Sequence, residues 1–233
     1  MSLAAQIKTQ LQSLNLPPPS QPWLEALISA RDPPPPLPSL VMTAKTRLLA
    51  SDLTTPGLLD PDSVQIMSLP SGITNQAVKE TSLSRNVYVQ VADIEDLAKS
   101  RWEQVEELEA IERGEQTRGR EVIRLPTNGV DAEEAQNGIP DGPEPRATGA
   151  RRGAAQSGPA TAASSKATHR LVLQDCKGQT VYGLELTRIP RIAIGTLNIG
   201  EKILLKKGAV IARGAVLLEP ATCHILGGKI DAW

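Results

Sequence analysis

The chain has 233 residues, a net charge of -1 and five aromatic residues, none of them Phe. That is enough for one or two domains with an aliphatic core, and it offers no global electrostatic attraction to nucleic acid or to a membrane. Cys176 and Cys223 make neither a disulfide framework nor a CxxC zinc pair, no apolar run reaches the ~18 residues of a membrane span, and the N-terminus lacks a basic-then-apolar signal, so an intracellular, reducing compartment is expected.

Leu3, Ile7, Leu11 and Leu14 recur at helical spacing and predict a first helix over 3–14, stopped by Pro17, Pro18 and Pro19. Ser20 can cap a second helix with Pro22 in its first turn and an apolar stripe of Trp23, Leu24, Leu27 and Ile28. The prolines at 33–36 end it. Ser39 is the expected cap of a third helix, with Leu40, Val41, Ala44, Leu48 and Leu49 facing inward. Helices this short are marginal alone, so residues 1–60 are expected to form a bundle docked on something larger. Turn signals at Thr55-Pro56-Gly57 and Pro70-Ser71-Gly72 mark a connection that occupies 61–85.

Val87, Val89 and Val91 then share one face of a strand. A helix is predicted over 94–113, with Asp93 as cap and Asp96 in the first turn. Ile94, Leu97, Ala98, Trp102, Val105, Leu108 and Ile111 recur at helical spacing, Glu95–Lys99 and Glu109–Arg113 are i,i+4 pairs, and Gly114 is the stop. Residues 115–168 change character. A short apolar core, Val122, Ile123 and Leu125, gives way after Pro126 to Gly, Ala, Pro, Ser, Thr and charge. Residues 128–167 carry too few large apolar side chains to offset their ordering entropy and are expected to be disordered. A loop of this length is functional or a linker.

Order is expected to resume at His169 with a hairpin at the centre of the sheet. Asp175 can bond its own backbone, and Gly178 can supply the positive φ of the turn. Val181, Gly183 and Glu185 alternate with Tyr182, Leu184 and Leu186, so that one face is apolar. Strands at 202–206, 209–212 and 215–219, with 222–226 beyond, bring the count to five or six, right for a small barrel.

Little in this sequence points to catalysis. His169 and His224 have no third ligand at metal spacing, and no Ser or Cys has a nucleophile signature. Gly227-Gly228 precedes no helix and no GK[ST], and reads as a turn. The glutamates from Glu103 to Glu115 read as the solvated face of a helix. Neither an enzyme nor a metal or cofactor is expected. Single-strand binding by a small barrel needs aromatic platforms and a basic groove. The strands offer only Tyr88 and Tyr182. Lys202, Lys206, Lys207 and Arg213 are weak nucleic-acid candidates that read more simply as the outward face of strands.

Taken in order, PWLEA at 22–26, SDLTTPGLLD at 51–60, VYVQVADIEDL at 87–97, GREVIRLP at 119–126, HRLVLQD at 169–175, VYGLEL at 181–186 and LLEP…LGGKIDA at 217–232 resemble the RecQ-mediated genome instability protein 1 family in a fungal form. The resemblance covers 1–127 and 168–233. It implies an α+β fold: an N-terminal helical bundle (1–60) packed on a small five-stranded OB-fold β-barrel (86–233), with a long insertion (115–168) between the first two barrel strands. It further implies a nuclear, non-catalytic scaffold subunit of a topoisomerase III and RecQ-helicase complex that dissolves double Holliday junctions. Such a subunit would meet DNA mainly through the complex, and no membrane. An autonomous OB-fold single-strand-binding protein is the alternative.

The family insertion enters the topoisomerase gate, which on this chain assigns Arg118, Arg120, Val122, Ile123, Arg124 and Leu125, with the end of the preceding helix, to topoisomerase binding. Arginines interleaved with apolar anchors suit an interface; folding back onto the chain's own barrel is the alternative for this patch. Larger members carry a second OB-fold, and neither it nor functions tied to it are expected within these residues.

Overall fold

The computed structural model describes residues 2–30, 32–114 and 167–233. Helix α1 (Leu3–Ser13) is capped by Ser2, whose Oγ accepts from Ala5 N, and buries Ala4, Ile7 and Leu11. Leu14 lies just past the helix end and is exposed, so the stripe is one residue shorter than its spacing predicts. In α2 (Gln21–Ser29) the Ser20 Oγ accepts from Trp23 N at 3.3 Å and donates to Gly57 O. Helix α3 (Leu37–Ala50) starts before Ser39: Pro36 is its N-cap, and a proline lies in the first turn, where a missing N–H leaves no bond unmade. The prolines that end α2 therefore also begin α3. A further helix, α4 (Pro61–Met67), forms within the stretch expected as connection. Ile7, Leu11, Leu24, Leu48, Leu53 and Leu58 centre the aliphatic core of this region.

Among the described residues eight strands follow: β1 (Glu80–Ser82), β2 (Val87–Asp96), β3 (His169–Asp175), β4 (Thr180–Glu185), β5 (Lys202–Leu205), β6 (Val210–Ala212), β7 (Ala215–Leu218) and β8 (Cys223–Gly227). They form one sheet in the order β1-β6-β7-β4-β3-β2-β5-β8. The five consecutive members β7-β4-β3-β2-β5 make the OB barrel, and β1, β6 and β8 extend its edges. One core cluster takes Ile211 from β6, Val216 and Leu218 from β7, Val87, Val89 and Val91 from β2, and Cys223 from β8. Side chains from both ends of the sheet order can share a cluster only if the sheet curls on itself. Leu69, Ile73 and Leu83, from the segment before the barrel, close that cluster.

The pairing of the Val87 strand with the Leu171 strand is present: Val91 faces Leu173, and Val89 faces Asp175. The register slips by one residue between Val91 and Asp93, a β-bulge that bends β2. Beyond it the strand continues, with Ile94 opposite Leu171 and Asp96 opposite His169. This corrects the expected helix. Residues 93–96 are strand because β3 is available to pair with them, a long-range partner that local periodicity cannot reveal. Helix α5 (Arg101–Glu112) starts later, on a capping box in which Ser100 Oγ accepts from Glu103 N and Glu103 Oε2 accepts from Ser100 N. Glu95 consequently pairs with Arg170 at 2.8 Å rather than with Lys99, which bonds Glu107.

The two cores meet along the outer face of β2. Gln90 is fully buried there: its Oε1 accepts from Leu53 N at 3.0 Å, and its Nε2 donates to Asp52 Oδ1 at 2.6 Å and to Gln174 Oε1 at 3.1 Å. Asp175 fixes its own turn by accepting from Lys177 N and Gln179 N, and its second oxygen accepts from Leu69 N at 2.9 Å. At the end of β8, Gly228 (φ 101°) passes so close to α3 that a Cβ would lie 2.3 Å from Leu49 O. Only glycine fits this contact.

Candidate partner-binding surface

Helix α5 leaves the barrel between the first two OB strands, β2 and β3. Gln104 fastens its start: its Nε2 donates to Asp96 O at 2.9 Å, and its Oε1 accepts from Asp96 N at 3.0 Å. Across the neck, Leu97 N donates to Thr168 O at 2.8 Å. On the far strand His169 is buried, its Nδ1 2.8 Å from Glu185 Oε2, and Glu185 also accepts from Ile189 N at 2.6 Å. The two strand ends that flank the expected insertion are thus held by polar contacts, part-buried at Gln104 and buried at His169.

The orientation of α5 is the reverse of an ordinary surface helix. Gln104, Glu107 and Ala110 lie on its less exposed side. Trp102, Val105 and Leu108, three apart and therefore stacked along one stripe at 3.6 residues per turn, are all exposed, Trp102 by 71%. Leu97 at the root is exposed too. The apolar stripe that predicts a core-facing helix faces solvent because the barrel interior is already filled by β-strand aliphatics. The residues assigned to topoisomerase binding, Arg118, Arg120, Val122, Ile123, Arg124 and Leu125, lie outside the described residues.

A second exposed apolar area lies on the outer face of β3, β4 and β7. The more apolar side of the β4 alternation points outward: Tyr182 (51% exposed) and Leu186 are on the surface, whereas Val181, Gly183 and Glu185 are buried. Gly183 falls on the inward side of the alternation, where an added Cβ would meet the Leu173 and Leu218 side chains at 2.9–3.0 Å. The Arg170 guanidinium carbon lies 4.9 Å from the Tyr182 ring centroid, a cation–π distance. This is the face on which OB-folds hold oligonucleotides.

The four basic candidates do not form one track. Lys202 is 1% exposed and contradicts its reading as an outward strand residue. Its ammonium donates to Gly200 O at 2.7 Å, and burial lowers its pKa to about 8 against the opposing pull of the Asp52 carboxylate. Burial pushes the Asp52 carboxyl up, but hydrogen bonds from Gln90 and Thr54 and the Lys202 charge hold it below its ordinary value. Lys206 and Lys207 are exposed in the β5–β6 turn. Arg213 is exposed in the β6–β7 turn, beside a cavity of about 280 Å³ that Tyr182, Val172 and Thr180 also line. The two thiols are buried, and burial raises Cys176 to about 11 and Cys223 to about 12, which keeps both protonated and unreactive at neutral pH. Among the described residues no group of three His, Cys, Asp or Glu side chains could hold a metal.

The sequence of the barrel matches the family described as "RMI1, N-terminal OB-fold domain" over residues 69–233, more than half of the chain. The chain belongs to the RMI1 family. The helical region matches the same family's N-terminal helical domain over residues 3–56. RecQ-mediated genome instability protein 1 of Schizosaccharomyces pombe is 28% identical over 153 residues, 65% of this chain and 59% of that relative. The match thus spans less than two thirds of the fission-yeast protein. In this barrel β2 and β3 are the strands on either side of the expected insertion, and α5 precedes it.

Sequence reasoning missed the true start of α5 and the outward turn of its stripe. The Ser100-x-x-Glu103 capping box was the available signal for the first. For the second there was none, since periodicity gives a stripe without saying what covers it.

Proposed function

We propose that this RMI1-family chain is a non-catalytic, nuclear scaffold subunit of a topoisomerase III and RecQ-helicase assembly that promotes dissolution of double Holliday junctions. In this reading α5 and residues 118–125 form the arm that contacts the topoisomerase and modulates its gate. The observation that carries it is the exposed apolar stripe Trp102–Val105–Leu108 on a helix rooted at the barrel neck. An exposed apolar stripe costs solubility and is kept where a partner covers it. The family resemblance and the relative's name supply the pathway; the stripe supplies the surface.

Two variant sets test this, Trp102→Ser with Leu108→Ser, and Val122, Ile123 and Leu125 each to Ser. Contact with the enzyme predicts an unchanged melting temperature, weaker co-purification with the cell's type IA topoisomerase and weaker stimulation of decatenation. Stable variants that stimulate the enzyme normally would refute the assignment. A fold-back of 122–125 on the barrel predicts instead a lower melting temperature, since each buried aliphatic is worth ~1.5–3 kcal/mol.

Tyr182 over the β3–β4 face favours a second reading, an autonomous single-strand-binding module. Oligonucleotide affinity against salt separates the two. A module binds alone at micromolar or better with a steep salt slope. A scaffold binds poorly without its enzyme, as the ion pair of Arg170 to Glu95 and the burial of Lys202 suggest.

A further inference from the structure

A groove of about 630 Å³ runs where α1 and α4 meet the barrel. Its floor is apolar: Leu16, Pro18 and Met67 are buried, and half-buried Tyr88 extends it from β2. Ile66 stands on the lip, 60% exposed. Two cations line this groove, Arg85 from the segment before β2 and Lys207 from the β5–β6 turn, and among the described residues no carboxylate does.

The buried Nε of Arg85 sets the groove apart. Several basic groups elsewhere are paired, Lys8 with Asp60, Arg170 and Arg101 with Glu95, Arg191 with Glu201, and those without a pair, such as Lys206 and Arg213, are exposed to water. In the groove, the Arg85 Nε–H is buried without any acceptor. Neither the Arg85 guanidinium nor the Lys207 ammonium has a hydrogen bond or ion pair among the described residues; Asn86 Oδ1 takes only the Lys207 backbone N–H, at 2.9 Å. A buried donor left unmade is rare in a folded protein and calls for a partner. A planar guanidinium is best satisfied by a carboxylate that accepts two parallel N–H bonds.

We infer that this groove docks a short acidic segment of a partner protein, with an aliphatic or aromatic anchor close to an Asp or Glu. The anchor lies on Leu16, Met67 and Tyr88 under the Ile66 lip, and the carboxylate takes the free donors of Arg85, with Lys207 adding a second positive charge. Charge complementarity selects the occupant: two unpaired cations, no acid, and an apolar floor between them. A nucleic-acid strand is disfavoured by the same inventory. The groove has no exposed aromatic platform and only two cations, whereas a strand needs stacking and a series of phosphate contacts. This surface is separate from α5, and the inference does not depend on the topoisomerase contact.

Selection of random peptides of about twelve residues against the full chain tests it, with counter-selection against the double variant Arg85→Ala, Lys207→Ala. Recovered peptides are expected to be enriched in Asp or Glu next to Leu, Ile or Phe. Their affinity, read by fluorescence anisotropy, is expected to fall about tenfold or more on the double variant, the usual effect of losing a charge-assisted hydrogen bond. The Arg85 and Lys207 side chains hold no hydrogen-bond or ion-pair partner among the described residues, so the double variant should melt with the wild type. If it melts lower, Ile66→Asp, which alters only an exposed side chain, replaces it with the same expected loss. Recovery of no peptide, of peptides without acidic bias, or of peptides that bind the variant equally overturns the inference. So does oligo-dT competing for the groove at comparable affinity, or a second copy of the chain occupying it in sedimentation experiments.

Discussion

Lys202 makes stability depend on alkaline pH in a direction opposite to most proteins. Its ammonium is fully buried, with Gly200 O as its only hydrogen-bond partner among the described residues, and burial holds its pKa at about 8 instead of the ordinary 10.5 of a lysine. Between these values the unfolded chain binds a proton that the native state has released. Stability therefore rises with pH through this window as the cost of the buried charge is relieved. That cost is fully present below the folded pKa. Integrating the linkage from about pH 7 to about pH 9.5 gives a gain of about 2 kcal/mol. Cys176 and Cys223 oppose this above about pH 9, since their raised native pKa values mean that the folded state keeps protons that the unfolded chain loses. The Lys202→Met variant retains both thiols, so the difference between the two proteins isolates the lysine. Urea unfolding of each at about pH 7 and about pH 9.5 is the assay, and the wild type should gain about 2 kcal/mol relative to the variant over that interval. If the two stability curves run parallel to within about 0.5 kcal/mol, Lys202 stays charged in the folded protein and the burial argument is wrong.

Three other outcomes follow from the same geometry. Gly228→Ala should destabilise the junction of the two cores by at least about 1–3 kcal/mol, because the added Cβ meets Leu49 O at 2.3 Å and the backbone sits at φ 101°; chemical denaturation measures it, and an unchanged midpoint would show that the contact is not native. Ser100→Ala should fray α5 at a cost of about 1 kcal/mol, seen as faster amide exchange at Glu103 with no change in the barrel strands. Removing residues 128–167 should leave the melting temperature within a few degrees of the full chain, since shortening a loop recovers only about 0.6 kcal/mol per halving of its length; unfolding on deletion would mean that the segment is part of the fold.

The α+β architecture and much of its detail are legible in the sequence, because they rest on local chemistry. The Ser20 cap, the Asp175–Gly178 turn and the β2 alternation each depend on residues within a few positions of one another, and each is found in the fold. The order of short motifs along the chain carries the family. What sequence could not decide is what lies opposite each element. β2 runs on to Asp96 because β3 pairs with it across the insertion, and no window of neighbouring residues contains that partner. Lys202 alternates like a surface lysine, yet the helical region packed on β2 covers it and supplies Asp52. The stripe of α5 has the period of a core helix but faces solvent, since the barrel interior is filled before the helix arrives. The groove at Arg85 joins residues from 12 to 207 and exists only once both cores are docked. Periodicity and caps are properties of one segment, whereas burial, register and unpaired charge are properties of two segments brought together, and only the folded chain brings them together.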